Sequence, residues 1–169
     1  MRSRGSTAER SDLAGVAAVV AVWLLTTFLW LTAGLTGPDG VGYFAYLTST
    51  WFDGDLLFFD EWGQAGLIRR SQNDIQILFK DVTATNHLSN HWTAGTSIAW
   101  YPAFLAADAL TRATGQPTHD GFAPIYVAAV TFMSALAGLF VMLAGLRVAR
   151  KLFGDRIAMA ATIAIWFGS

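Results

Sequence analysis

Two long stretches of this chain carry no charge, and most of its polar residues lie between them. The first stretch runs from Leu13 to Pro38 and the second from Gly121 to Leu146. An apolar run longer than about 18 residues is read as a membrane-spanning helix, because about 20 residues at 1.5 Å rise cross the hydrocarbon core. A third apolar run opens after Arg156 and reaches Phe167-Gly168-Ser169. It is too short to span and reads as the beginning of a third, truncated membrane helix.

The polar section predicts shorter elements. Gly42 to Phe52 suits a short amphipathic helix at the membrane interface, with Tyr43, Tyr46 and Trp51 at headgroup level. Gly63 to Phe79 predicts a second surface helix with a narrow apolar stripe of Ile75, Leu78 and Phe79. Asn86 to Gly95 reads as loop. Trp92 to Ala107 is uncharged but interrupted by Gly95 and Pro102, which predicts a re-entrant or interfacial helix. Thr114-Gly115-Gln116-Pro117 reads as a turn. The expected fold class is all-α, an integral membrane helical protein with two full spans and a long outer loop. Ser134, Ala135, Ala137, Gly138, Ala144 and Gly145 would let the second span approach a neighbour closely, although ordinary membrane composition explains them too.

Charge sets the orientation. Arg2, Arg4 and Arg10 precede the first span, and Arg147, Arg150, Lys151 and Arg156 follow the second. Basic flanks stay in the cytoplasm. The expected order is therefore a cytoplasmic N-terminus at 1–12, a first span at 13–38 and an extracytoplasmic loop at 39–120. A second span at 121–146, a cytoplasmic loop at 147–156 and the start of a third span at 157–169 complete it. The N-terminal arginines also suggest a signal peptide. The apolar stretch behind them exceeds the 7–15 residues of such a segment and lacks a clear cleavage site, so a retained anchor is expected.

Composition agrees with a membrane protein. Charged residues make up 14% of the 169, against about 25% in soluble domains, and 54% are hydrophobic. A net charge of −1 implies no bulk attraction to nucleic acid. The absence of cysteine excludes disulfides and thiolate metal sites.

Three groups carry candidate chemistry. Asp39 is the first charge after the first span and sits beside Tyr43-Phe44-Ala45-Tyr46. An acid held there is placed for chemistry on a lipid-linked substrate; the alternative is a helix end in water. Asp53-Gly54-Asp55, followed by Asp60-Glu61, is the second group. Two carboxylates one residue apart can face one Mg²⁺ or Mn²⁺, since hard cations take oxygen ligands. Asp-Gly is equally ordinary turn chemistry. The third is Asn86-His87 with Asn90-His91-Trp92, where His91 can hold a phosphate or move a proton, or simply be solvated. Arg69-Arg70 can clamp a phosphate, or stand as a solvated pair on a surface helix. No Walker loop, G-x-S-x-G elbow or dinucleotide fingerprint occurs.

Several of these segments together resemble a known family. Pro38-Asp39-Gly40-Val41-Gly42-Tyr43-Phe44-Ala45-Tyr46-Leu47 after a first span, then Phe52-Asp53-Gly54-Asp55-Leu56, is similar to the start of bacterial GT-C fold membrane glycosyltransferases. The protein mannosyltransferase and aminoarabinose transferase types belong there. Gly95-Thr96-Ser97-Ile98-Ala99-Trp100-Tyr101-Pro102-Ala103-Phe104 resembles the segment closing the first outer loop, and Arg150-Lys151-Leu152-Phe153-Gly154 before an Ala-rich span is similar too. The resemblance covers the N-terminal portion of such a chain. Many members carry an acidic pair after the first span, whereas Asp39 stands alone.

The resemblance implies a multi-pass enzyme of the bacterial plasma membrane. It would transfer a sugar from a polyprenyl-phosphate donor to a glycan, lipid or protein acceptor on the outer face. Asp39 matches the general base. Arg69, Arg70, His91 and Tyr43 complete the expected substrate-binding set, and Asp53 and Asp55 the expected metal ligands. Two and a half spans can hardly enclose a polyprenyl groove, so these residues alone are expected to be inactive. The competing expectation is a non-catalytic membrane protein, a transporter or assembly subunit, whose outer loop binds a partner.

Overall fold

The computed structural model describes residues 4–30, 38–69, 80, 82–116 and 121–168. Six helices make up most of it. In chain order they are α1 (Arg4–Trp30), α2 (Pro38–Thr48), α3 (Phe59–Arg69), α4 (Gly95–Ala113), α5 (Pro124–Phe153) and α6 (Asp155–Gly168). Among the described residues there is no strand, only an isolated antiparallel bridge between Val82 and Leu88. The all-α expectation therefore holds. The chain divides into two units, one of residues 1–32 with 134–169 and one of residues 33–133.

In the first unit, Val19, Met142, Leu146 and Ala158 form a small buried cluster joined by Leu139, Leu143 and Trp166. The indole of Trp23 donates to the carbonyl of Ala135 at 2.7 Å, and that of Trp166 to the Thr26 hydroxyl at 3.0 Å. These bonds satisfy amphipathic side chains that are otherwise packed in apolar surroundings. Gly138 lies so close to the Trp166 ring that a Cβ there would crowd it. That is a concrete use for one of the small residues noted above.

Helix α5 is long and apolar enough to cross a membrane, with a mean hydropathy of 2.2 over its best window. Only 11% of that window is buried, and Phe140 and Val141 face outward. A core helix of a soluble protein would be covered instead. The first apolar stretch appears as Leu13–Leu29 within α1, shorter than a full span, and residues 31–37 lie outside the described ones. Residues 147–153, expected in a loop, are the last turns of α5, where Arg150 and Lys151 meet the negative helix end. The break comes at Gly154.

The second unit builds a core of its own. Pro38 opens α2, where its missing N–H costs nothing, and Asp39 lies in the favourable first turn. Ser97, Trp100, Phe104, Ala107, Asp108 and Thr111 of α4 are buried, a stripe at helical spacing. Phe44 and Leu47 of α2 pack against Trp100, Phe104 and Ala107, with Tyr126 and Val130 from the start of α5. Phe44 meets Phe104 edge to face at 5.7 Å, and Phe52 meets Tyr126 at 6.0 Å. Each such pair adds about 0.5–1.5 kcal/mol beyond area burial. Pro102 leaves the carbonyl of Ile98 without its helical donor, but both residues lie on the exposed face of α4. A second cluster joins Val41 and Ala45 to Phe58 and Trp62.

The helix expected over 42–52 is present as α2, which begins at Pro38 and ends at Thr48, followed by a wide π-helical turn at Ser49–Asp53. The helix expected over 63–79 is present as α3 to Arg69; Arg70 and the stripe of Ile75, Leu78 and Phe79 lie outside the described residues, as does Pro117.

Candidate functional site

Two places in the second unit gather the polar chemistry. The first surrounds Asp39. Its Oδ1 accepts a 2.7 Å hydrogen bond from the indole N–H of Trp92, although the two residues are far apart in sequence. Three further bonds fix that loop on α2. Asn90 Nδ2 donates to the Gly42 carbonyl at 2.8 Å, the Trp92 amide donates to Asn90 Oδ1 at 3.1 Å, and the Tyr46 hydroxyl donates to the Trp92 carbonyl at 2.8 Å. Gly42 makes the approach possible, because a Cβ there would overlap the Trp92 ring. Asp39 itself is exposed, and among the described residues its second oxygen is unengaged.

His91 is exposed beside Trp92, its ring 5.9 Å from the indole. Tyr43 is half-buried and crosses the Trp100 ring edge to face at 6.1 Å, while its carbonyl accepts from the Ser97 hydroxyl. The structure thus ties Asp39 to the His91 loop and directs Tyr43 into the α2–α4 packing. His87 lies elsewhere, lining an open groove of about 560 Å³ with Thr50, Gly54, Asp55, Leu56 and Leu57. Arg69 ends α3, and Arg70 lies outside the described residues.

The second place is a group of carboxylates. The π turn at Ser49–Asp53 closes on Gly54, whose φ of 72° is left-handed and whose N–H donates to the Ser49 carbonyl at 2.8 Å. Asp55 then folds back: its Oδ1 accepts from the Ser49 hydroxyl at 3.1 Å and from the Leu57 amide at 3.0 Å. It acts as a turn-former. Asp53 is left facing the first turn of α3, where Asp60 and Glu61 stand. One oxygen each from Asp53, Asp60 and Glu61 lie within 4.8 Å of one another. Of the Asp53–Asp55 pair expected to face one cation, Asp53 lies in this group with Asp60 and Glu61, while Asp55 is engaged by the Ser49 hydroxyl and the Leu57 amide.

Glu61 differs from its neighbours in burial. It is only 2% exposed, whereas Asp53 and Asp60 are exposed. Its Oε1 accepts from the Thr48 hydroxyl at 3.3 Å, but among the described residues no amide, hydroxyl or amine reaches Oε2. Desolvation first, then a proton shared with Asp60 and the charges of Asp60 and Asp53, push its carboxyl up to about 8, partly offset by a backbone hydrogen bond. Asp53 is also pushed up, by desolvation and then by the charges of Asp60 and Asp55, against a hydrogen bond with Glu61.

A further carboxylate, Asp108, lies outside the candidates that the sequence pattern singles out. It is buried, and accepts from Arg112 Nε at 2.8 Å, the Tyr126 hydroxyl at 2.9 Å and the Trp51 indole at 3.1 Å. Its partners come from the π turn, from α4 itself and from the start of α5, so it ties these elements of the unit together. Its signal was available: it continues the Trp100-Phe104 stripe by helical steps and has Arg112 four residues on.

Set beside known protein families, curated proteins and solved structures, the chain matches none of them.

Proposed function

We propose that this chain belongs to a multi-pass glycosyltransferase of the bacterial plasma membrane. The enzyme moves a sugar from a polyprenyl-phosphate donor to an acceptor hydroxyl on the outer face, with Asp39 as general base. The observation that carries this reading is the setting of Asp39: an exposed carboxylate with one oxygen pinned by the Trp92 N–H and the other unengaged among the described residues. A base needs one fixed geometry and one accessible lone pair. The apolar stretch of α1 before it, the apolar and mostly uncovered helix α5, and the sequence resemblance support a membrane setting.

The chemistry balances simply. The open oxygen of Asp39 takes the proton of the acceptor hydroxyl as that oxygen bonds to the anomeric carbon. The bond from that carbon to the phosphate oxygen breaks, and the polyprenyl phosphate leaves with the electron pair. The growing negative charge on phosphate calls for cationic help, the role expected of Arg69 and Arg70. His91 lies on the same loop as the Trp92 that positions Asp39, and binding the acceptor is the role expected of it.

The test is sugar transfer in membranes carrying the full-length protein, with labelled polyprenyl-phosphate sugars as donors. Transfer that depends on the protein and on an acceptor is the expected result. No transfer from any polyprenyl-phosphate hexose or pentose would favour a non-catalytic membrane protein.

A further inference from the structure

The carboxylate group at the π turn lies outside the sugar-transfer reading and stands on separate observations. Three acids meet there, on two elements brought together by the fold: Asp53 from the end of the turn, Asp60 and Glu61 from the start of α3. Among the described residues no lysine or arginine pairs with any of them. Exposed acids commonly gather without a ligand, and Asp53 and Asp60 alone would imply nothing. Glu61 changes that. A carboxylate so fully withdrawn from water is costly unless something compensates it. Thr48 compensates one oxygen weakly; the other, Oε2, meets no donor among the described residues, and one oxygen of this same buried carboxyl lies in the group with the two aspartates.

We propose that Asp53, Asp60 and Glu61 form the binding site of one hard divalent cation of the Mg²⁺, Mn²⁺ or Ca²⁺ class. The spacing fits. Oxygens on opposite sides of one Ca²⁺ at 2.3–2.6 Å lie about 4.6–5.2 Å apart, and adjacent ligands lie closer. The three oxygens here, all within 4.8 Å, fall inside that reach. The ligand set is all oxygen, which selects hard cations over zinc or copper. Glu61 is the rigid ligand, walled in by its burial. The two exposed aspartates supply the side open to water, where a hydrated ion keeps its remaining waters and can meet an anionic group such as a phosphate. The competing occupant is a proton shared between Glu61 and Asp60, which would relieve the same repulsion without metal.

Manganese titration of the purified full-length protein in detergent, followed by electron paramagnetic resonance, separates the two. The expected result is one Mn²⁺ per chain, displaced by Mg²⁺ or Ca²⁺, with a rise in melting temperature. Glu61→Gln and Asp53→Asn should each weaken Mn²⁺ binding at least ~10-fold, since even outer partners of metal ligands cost that much. Asp53 is exposed, so its variant keeps the fold and guards against a collapse misread as lost binding. Asp39→Asn should bind Mn²⁺ as wild type does, whatever it does to sugar transfer, so this inference and the proposed function fail separately. Two results would overturn the site. One is Mn²⁺ binding unchanged in both Asp53→Asn and Glu61→Gln. The other is no saturable binding at millimolar Mn²⁺ together with a Glu61→Gln protein that melts higher than wild type, the mark of a shared proton.

Discussion

Asp39, Asp53, Asp55, Glu61 and Asp108 are chemically alike, and the fold gives each a different environment. Asp108 is the one used wholly for stability. Burial pushes its carboxyl up, but the bonds from Arg112, Tyr126 and Trp51 outweigh that and hold it below the usual carboxylate range. A lowered native value means the unfolded chain binds the proton more readily. The stabilisation is therefore present above the unfolded value near 3.9 and is lost as pH falls through the native one. Asp108→Asn is expected to cost about 1.5–3 kcal/mol at neutral pH, the range for hydrogen bonds to a charged group. Chemical denaturation in detergent from pH 7 to 3 checks it, the gap to wild type narrowing below about pH 4. A constant gap would mean the charge is irrelevant. The sequence identified Asp39 and Asp53 as noteworthy because they flank apolar or turn residues. Glu61 and Asp108 are defined by burial, which depends on contacts distant in the chain, and single-sequence patterning carries that only faintly.

At the scale of elements, apolar periodicity placed α2, the start of α3, the loop over Asn86–Gly95 and α4 close to where they fold. It failed at the ends. Arg147 to Phe153 reads as a basic loop because charge marks the membrane edge, yet charge does not stop a helix, and α5 continues to Phe153. Nor does spacing reveal the π turn: the extra residue it inserts turns Asp53 toward α3 and Asp55 back on Ser49. The docking of the Trp92 loop on α2 is equally non-local. It depends on Gly42, and Gly42→Ala tests it. The new methyl group must push the Trp92 ring outward and break its bond to Asp39. The expected signs are a protein destabilised by about 1–3 kcal/mol through overpacking and a fall in transfer with no change in Mn²⁺ binding. Wild-type transfer in this variant would show that the Trp92 contact does not position Asp39.

For the whole molecule, composition and charge predicted a helical chain with its polar section between apolar stretches, and the helices follow that plan. The proposed orientation across a membrane rests on the basic flanks alone, and the absence of cysteine makes it easy to measure. Thr85→Cys, in the exposed loop, should react with an impermeant maleimide on intact cells, and Arg156→Cys only after the membrane is opened. The reverse pattern would place Asp39 on the cytoplasmic face and remove the proposed donor from its reach. The central claim is tested most directly by the transfer rate of full-length Asp39→Asn from a polyprenyl-phosphate sugar, measured beside wild type. Asparagine keeps the size and can still accept the Trp92 hydrogen bond, but it cannot take the acceptor proton. Turnover should fall by about 10²–10⁴ with donor binding and melting temperature little changed. Turnover within a few-fold of wild type, in a protein correctly inserted, would contradict the account.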